Sequence, residues 1–374
     1  MSLTRKRENT INFSPGPAAL PDEVVREARE NVMNYKGLGL GVMELSHRSP
    51  EYTALNLQTQ DLLRSLLHIP SNYQVLFQQG GGTAQFAAIP LNLTPSEDTT
   101  ADYFITGMWS QKAAKEGEKF VKVNHVLSKA DGGYMTIPEQ SQWNLTPGAG
   151  FVYYCANETV HGVEFPEPPD VGSVPLVCDA SSNFLTRPID IAKHAVVYAG
   201  AQKNVGCAGV TVVIVREDLL GKCRPYTPVV LDYAVTAKAK SVYNTPPVWS
   251  VYILNLVLKW IQKHGGVEAM ERNRVAKFQS LISVIDQSGG FYRIPVERRF
   301  CSHVNIPFRI TVAGEANSDL EAKFLSDAAA LGLVQLKGHR SVGGIRVCLY
   351  NAISCEDVQK LASFMSHFML QNRN

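Results

Sequence analysis

Seven short apolar segments recur between residues 74 and 215, and polar or glycine-containing turns separate them. Short segments of this kind, rich in Val, Tyr and Phe, are typical of buried strands. Most intervening stretches are long enough for a crossover helix, which favours parallel strands joined by right-handed connections. The segments cover residues 74–78, 101–106, 119–123, 151–155, 174–178, 195–199 and 210–215. The alternation predicts an α/β fold with a large domain built on a mainly parallel seven-stranded sheet, with helices on both faces.

The pattern changes after Gly266. Before it, residues 248–263 are apolar on most faces, which predicts a buried helix. After it, alternation at residues 302–310 predicts a strand with one apolar face. The further elements predicted here are helices at 267–284, 318–331 and 355–370 and a strand at 344–349. We expect an N-terminal arm (1–20) that joins a small α+β C-terminal domain (266–374), and a large domain between them (21–265).

Two of the predicted strands deliver an ionisable side chain at their carboxyl ends, where open α/β sheets bind ligands. The run 174–178 ends on Asp179, and the run 195–199 ends on a turn with Lys203 at its tip. This pair suits pyridoxal phosphate, because a lysine can hold the aldehyde as a Schiff base while a carboxylate holds the proton on the pyridine nitrogen. The alternative is a surface lysine and a turn aspartate.

A glycine turn, Gly80-Gly81-Gly82-Thr83, lies between a predicted strand and a helix expected to begin near Ala84. Glycines let the backbone approach an anion, and a helix N-terminus adds donors. The turn is neither a P-loop nor the dinucleotide fingerprint, because it lacks both motifs. Beside Lys203 it favours a phosphate site; alone it would be a tight turn.

Further polar and aromatic candidates lie in turns. Trp109 could cover a cofactor ring, or be a core tryptophan. Thr159 could donate to the ring's phenolic oxygen, or be a turn residue. Gln202 could reach the cofactor phosphate, and the pair Asn244-Thr245 could bind it or cap helix 248–263.

Three basic groups lie outside helices: His47-Arg48, His339-Arg340 and Arg346. Guanidinium groups match carboxylate and phosphate oxygens. Together they would suit a substrate that has an anion at each end. That they converge does not follow from their spacing.

Composition narrows the function classes. The formal net charge is +2, so neither nucleic acid nor a membrane surface is an expected partner. No apolar run has transmembrane length, and we expect no secretory signal. The 7 cysteines are odd in number and form no CxxC pair, which favours a reducing compartment. The 9 histidines are scattered and form no cluster with the spacing of metal ligands, so we expect no metal site. We therefore expect a cytoplasmic protein.

Several segments in order carry a resemblance to a known family: ELSHRSPEY (44–52), QGGGTAQF (79–86), ANETVHGVEF (156–165), DASSNF (179–184), YAGAQKN (198–204), NTPPVW (244–249) and GHRSVGGIRVCLYN (338–351). The chain resembles the class V aminotransferases of PLP fold type I, from about Asn12 to Phe368. The resemblance implies a homodimer that moves an amino group between O-phospho-L-serine and 2-oxoglutarate, with 3-phosphohydroxypyruvate and L-glutamate as the other pair, in L-serine biosynthesis.

The resemblance also implies a role for each candidate residue. Lys203 would carry pyridoxal 5′-phosphate covalently, and Asp179 would pair with its ring nitrogen. The remaining cofactor contacts would be Gly82, Thr83, Trp109, Thr159 and Gln202, with Asn244 and Thr245 from the neighbouring subunit. His47, Arg48, His339 and Arg340 would bind the distal anion, and Arg346 the α-carboxylate. Many bacterial members have Arg at the position of Thr83, so the distal pocket here is expected to differ.

Two rival interpretations stay open on the sequence. Another fold-type-I activity is the nearer one, either an alanine:glyoxylate-type transaminase or a cysteine desulfurase. The desulfurase needs a cysteine on a mobile loop, and neither Cys348 in a predicted strand nor Cys355 at a helix start fits that need. The other rival is a nucleotide-binding protein that uses the glycine turn.

Overall fold

A computed structural model describes residues 6–127 and 133–373 of the chain, and these residues form 9 α-helices and 13 strands. The helices are α1 (Asp22–Met33), α2 (Pro50–Leu67), α3 (Gly81–Leu93), α4 (Met108–Gly117), α5 (Tyr233–Lys238), α6 (Val248–Lys263), α7 (Gly266–Gln287), α8 (Ser318–Ala330) and α9 (Cys355–Asn372). The strands are β1 (Ile11–Asn12), β2 (Tyr73–Gln78), β3 (Thr100–Tyr103), β4 (Lys122–His125), β5 (Val152–Cys155), β6 (Leu176–Asp179), β7 (Val196–Gly200), β8 (Thr211–Arg216), β9 (Tyr292–Arg293), β10 (Asn305–Val312), β11 (Glu315–Ala316), β12 (Leu333–Val334) and β13 (Ile345–Cys348).

The predicted seven-stranded sheet is confirmed, with strand order β2-β8-β7-β6-β5-β3-β4. Strands β7, β6, β5, β3 and β4 are parallel neighbours, whereas β8 runs antiparallel to both β7 and β2. Successive residues of β7 belong to different apolar clusters: Val196 and Tyr198 to one, Val197 and Ala199 to the other. Both faces of the sheet are therefore covered, as a parallel sheet requires.

Local sequence signals explain where several helices begin. Ser49 caps α2 by accepting from the Tyr52 amide at 3.2 Å, and Pro50 occupies the first turn. Helix α3 begins at Gly81, three residues before the predicted start at Ala84. Gly80 and Gly81 make the reversal, with φ of 91° and 65°, and Gly81 is already the first residue of the helix. Gly81 and Gly82 are consequently part of the helix N-terminus.

A second, four-stranded sheet lies in the C-terminal part of the chain. Strand β10 pairs antiparallel with β9, β11 and β13, and α7 packs against α9. The N-terminal strand β1 pairs in parallel with β12, so the start of the described chain joins this part. The predicted division into an arm, a large domain and a small domain stays a prediction. No helix within the described residues is both long enough and apolar enough to cross a membrane.

Candidate active site

Asp179 and Lys203 come from neighbouring parallel strands at the carboxyl edge of the seven-stranded sheet. Asp179 is the last residue of β6, and Lys203 follows three residues after the end of β7. Both side chains are buried, with 5% and 9% of their surface exposed. The Lys203 Nζ donates to Thr159 Oγ1, in the loop after β5, at 2.8 Å. The structure thus places this pair inside the protein, which excludes the surface alternative.

Burial changes the chemistry of the lysine. Loss of hydration lowers the pKa of Lys203, and the negative charges of Asp179 and Glu158 partly oppose that effect. A lysine with a lowered pKa has more neutral amine available as a nucleophile and as a base. The N-terminal loop encloses the same side chain, because a Cβ on Gly16 would lie 3.3 Å from Lys203 Cγ.

The Asp179 carboxylate is held by donors on both oxygens. Its Oδ1 accepts from the Ser181 amide at 2.9 Å, and its Oδ2 accepts from the Tyr198 hydroxyl at 2.9 Å and the Tyr153 hydroxyl at 3.4 Å. A carboxylate has room for about four hydrogen bonds. One acceptor position is left, and it fits the N–H of a protonated pyridine ring.

The N-terminus of α3 borders Asp179. A Cβ on Gly82 would lie 3.5 Å from the Tyr198 ring and 3.8 Å from Asp179 Oδ2, so the Gly82 backbone faces this group. The first amides of a helix have no acceptor within the helix and attract anions. Thr83 is exposed and Gln202 is half-buried at this end of the sheet. This geometry fits the cofactor phosphate beside a ring held at Asp179.

Trp109 lies close to the reactive lysine. Its ring centroid is 5.7 Å from Lys203 Nζ, and the side chain is half-buried. Its indole Nε1 is buried and has no hydrogen-bond partner among the described residues. A flat aromatic face next to the lysine fits a stacked pyridine ring.

Arg346, on β13, is a buried cation without a carboxylate partner in the described part of the chain. It is 6% exposed, and its Nη1 donates to the Thr159 carbonyl at 3.2 Å. Its Nε is buried and makes no hydrogen bond with any described residue. Leaving a guanidinium unpaired in the interior is costly, so the site is suited to a ligand carboxylate.

The His339-Arg340 pair lies near Arg346. Burial lowers the pKa of His339, and the nearby positive charges of Arg346, Arg340 and Lys112 lower it further. His339 and Ser341 share a hydrogen bond of 2.7 Å, while Arg340 is exposed. The cationic groups therefore gather on one side, where a second anion of the substrate could bind.

Among the described residues, no hydrogen bond or ion pair joins the other predicted contacts to Lys203. His47 is half-buried and Arg48 is exposed, and neither side chain makes a hydrogen bond or ion pair with a residue of the described ranges. Asn244 and Thr245 are exposed, and the Thr245 carbonyl accepts from Gln79, next to the glycine turn, at 3.1 Å. They do not cap α6, because Pro247 is its N-cap residue. Their roles stay predictions.

The sequence analysis did not identify the buried residues that bind Asp179 and the backbone around Trp109. Tyr153 and Tyr198, whose hydroxyls donate to Asp179, lie in predicted strands. The available signal was the presence of tyrosines in buried strands next to a strand that ends on a carboxylate. Glu158, fully buried between Asn157 and Thr159, had no local signal, because its partners lie about 50 residues earlier in the chain.

Comparison with known proteins places this arrangement in a family. The profile of the aminotransferase class-V family matches residues 10–361, and the chain belongs to that family. It is 52% identical to the phosphoserine aminotransferase of Drosophila melanogaster, over 97% of this chain and 100% of that protein. Within class V, its resemblance is thus to the phosphoserine aminotransferases.

Solved structures agree with the sequence comparison. The phosphoserine aminotransferase from Bacillus circulans subsp. alkalophilus superimposes with a TM-score of 0.93 at 43% identity, covering 97% of this chain and 99% of that one. A PLP-bound phosphoserine aminotransferase from Trichomonas vaginalis gives a TM-score of 0.90 at 38% identity, over 95% and 99% of the two chains. The predicted family and the predicted PLP fold type I are therefore confirmed.

Proposed function

We propose that the protein is a PLP-dependent transaminase that moves the amino group between O-phospho-L-serine and 2-oxoglutarate on one side and 3-phosphohydroxypyruvate and L-glutamate on the other, in L-serine biosynthesis. The observation that carries the proposal is the buried pair Lys203 and Asp179, at the ends of adjacent parallel strands. The family match supports the reaction type, and the 52% identity supports the substrate. The cofactor is pyridoxal 5′-phosphate.

When bound, the cofactor supplies an electrophilic carbon for the amine and a protonated ring that spreads negative charge. Lys203 would hold it covalently, and the Lys203 amine would take the proton from Cα of the substrate and return it at a neighbouring carbon. The lowered pKa of Lys203 favours this exchange. The Thr159 hydroxyl, which accepts from Nζ, orients the amine.

Asp179 holds the proton on the ring nitrogen. The Ser181 amide and Tyr198 hydroxyl fix its two oxygens, so the carboxylate does not reorient during the reaction. Trp109 would cover one face of the ring and exclude water from it. Gly82, Thr83 and Gln202 would hold the phosphate at the N-terminus of α3.

Arg346 binds the α-carboxylate that both amino-acid substrates share. His339 and Arg340, with His47 and Arg48, receive the distal phosphate or carboxylate. Because Thr83 replaces the arginine of many bacterial members, fewer cations meet that anion here.

The proposal includes a homodimer with shared sites. Asn244 and Thr245 are exposed, and so are Val230 and Tyr243 near them. Exposed apolar groups beside polar ones are typical of an interface. In a dimer, Asn244 and Thr245 would complete the phosphate site of the other subunit. We also assign the protein to the cytoplasm, because its 7 cysteines are free thiols.

The test combines a substrate panel with mapping of the reducible lysine. Phosphoserine and glutamate should exceed alanine in kcat/KM by roughly 100-fold, since only they present a second anion. Borohydride should fix the cofactor on Lys203, and K203A should lose this label while remaining folded. A preference for alanine and glyoxylate would overturn the substrate assignment, and a label on another lysine would overturn the role of Lys203.

A further inference from the structure

Helix α4, which carries Trp109 in its first turn, has an unusual cap. A helix normally begins after a Ser, Thr, Asp or Asn whose side chain binds the first free amides. Here the residue before the helix is Gly107, which has no side chain to offer. The amides of the first turn are bound instead by two side chains about 50 residues later in the chain.

Glu158 and His161 divide those amides between them. The Met108 amide donates to His161 Nδ1 at 3.3 Å, the Trp109 amide to Glu158 Oε2 at 3.0 Å, and the Ser110 amide to Glu158 Oε1 at 2.8 Å. The Ser110 hydroxyl also donates to Oε1, at 2.6 Å. Three consecutive amides around Trp109 are therefore fixed by one short loop.

The backbone at Gly107 is adapted to this arrangement. A Cβ there would lie 2.4 Å from Glu158 Cδ, so a larger residue would displace the carboxylate. Glu158 itself is fully buried and makes no ion pair with a described residue. Burial raises the pKa of Glu158, whereas the donors from Ser110 and Trp109 oppose that rise. A buried carboxylate without a directly paired cation is costly, so its three hydrogen bonds are what retain it.

The same loop reaches the other side of the site. Thr159, between the two capping residues, accepts from Lys203 Nζ through its hydroxyl and from Arg346 through its carbonyl. One short segment, residues 158–161, thus fixes the positions of Trp109, Lys203 and Arg346 relative to one another. His161 is kept neutral, because burial and then the charge of His339 lower its pKa to about 4. A neutral imidazole can accept at Nδ1, the atom to which the Met108 amide donates.

We propose that Glu158 and His161 are positioning residues that fix the face of Trp109 against the cofactor ring and so set cofactor affinity. Neither touches substrate in this scheme; both act through the backbone of α4. The proposal rests on the proposed function for the identity of the ring, but the cap itself does not.

The first test measures the cap without using activity. Amide hydrogen exchange is followed by mass spectrometry in a peptide spanning residues 107–112 of the full-length protein as purified. E158A should speed exchange in this peptide by roughly 10-fold or more, because two amides lose their acceptor. The matched control is E164Q, another buried carboxylate, whose partners are Asn183, Arg274 and the His303 amide rather than α4. Equal exchange in E158A and E164Q would overturn the proposal.

The second test asks whether the effect passes through Trp109. Cofactor dissociation constants are measured by absorbance titration for E158A, W109F and the double variant. E158A should weaken binding roughly 10-fold, and the loss should largely disappear in the W109F background, since coupled residues are not additive. If E158A weakens binding equally in both backgrounds, Glu158 acts elsewhere and the proposal fails.

Rescue separates hydrogen bonding from volume. H161N keeps an acceptor near the position of Nδ1, whereas H161V does not, so H161N should stay closer to the unsubstituted protein in exchange and in affinity. Identical behaviour of the two variants would remove His161 from the cap. If the unsubstituted protein does not transaminate phosphoserine, the proposed function is wrong. The hydrogen-exchange result would still test the cap of α4.

Discussion

At the scale of single residues, the environment of Asp179 defines what the site can do. Two tyrosine hydroxyls and one amide bind the carboxylate, and none of them carries a positive charge. The position that is left can therefore accept a charged N–H, because the three donors already bound occupy the other acceptor positions. This is the property that a ring-nitrogen partner requires.

Replacing Asp179 by Asn should lower kcat by roughly 100-fold or more, because a neutral amide does not keep the ring nitrogen protonated. The control is Y198F, which removes one of the donors to Asp179 and should cost much less. Stopped-flow single turnovers with phosphoserine measure the chemical step directly. Near-normal single-turnover rates in D179N would contradict the assignment.

Arg346 and Arg340 are proposed to bind different ends of the substrate, so replacing each should raise KM for a different set of amino acids. R346A should raise KM for phosphoserine, glutamate and alanine alike, since all three have an α-carboxylate. R340A should raise KM roughly 10-fold for phosphoserine and glutamate and little for alanine, which lacks a second anion. Steady-state kinetics with the three amino acids provide the comparison. Equal losses for alanine and phosphoserine in R340A would show that Arg340 does not bind the distal group.

At the scale of elements, Lys277 links α7 to the turn that follows β13. It is 1% exposed, and its Nζ donates to the carbonyls of Leu349, Tyr350 and Ile353 at 2.9–3.0 Å. Burial lowers the pKa of Lys277 to about 8. The same turn binds the Lys203 region, because the Asn351 amide donates to Asn204 Oδ1 at 3.1 Å. The strand that carries Arg346 is thereby fixed at its far end.

K277M should lower the free energy of unfolding by about 3 kcal/mol, because three buried carbonyls lose their donor. The matched control is K263M at the end of α6, where an exposed lysine pairs with the exposed Glu23 and should contribute little to stability. Urea unfolding followed by circular dichroism gives both midpoints. Equal midpoints for the two variants would show that Lys277 adds no more than a surface lysine.

The elements also show how far the sequence alone leads. Residues 248–263 were predicted as a helix with the bounds the structure has, because an apolar run ending in glycines leaves little choice. Lys203 and Asp179 were found because strand ends in a parallel sheet meet at one edge. Glu158 was not, because a cap supplied from another loop leaves no local pattern. His47 and Arg48 were expected at the site, but a sequence does not specify which subunit supplies them.

At the scale of the whole molecule, the two sheets and the N-terminal segment all contribute to one site. Asp179 and Lys203 come from the seven-stranded sheet, and Arg346 from β13 of the other sheet. The Pro15 carbonyl of this segment accepts from the hydroxyl of Tyr350, which follows β13, at 2.8 Å. Displacing either sheet would therefore separate the cofactor from the carboxylate of the substrate.

The last prediction tests whether the two subunits of a dimer share their sites, and it uses two defective variants. The first carries N244A and T245A, and the second carries K203A. If Asn244 and Thr245 serve the neighbouring subunit, a mixed dimer has one site with both defects and one intact site. Half of the dimers are mixed after random exchange, so activity should return to about one quarter of that of the unsubstituted protein. Native mass spectrometry confirms the exchange, and activity is measured on the same sample. Mixed dimers without recovered activity would show that these two residues serve the site of their own chain.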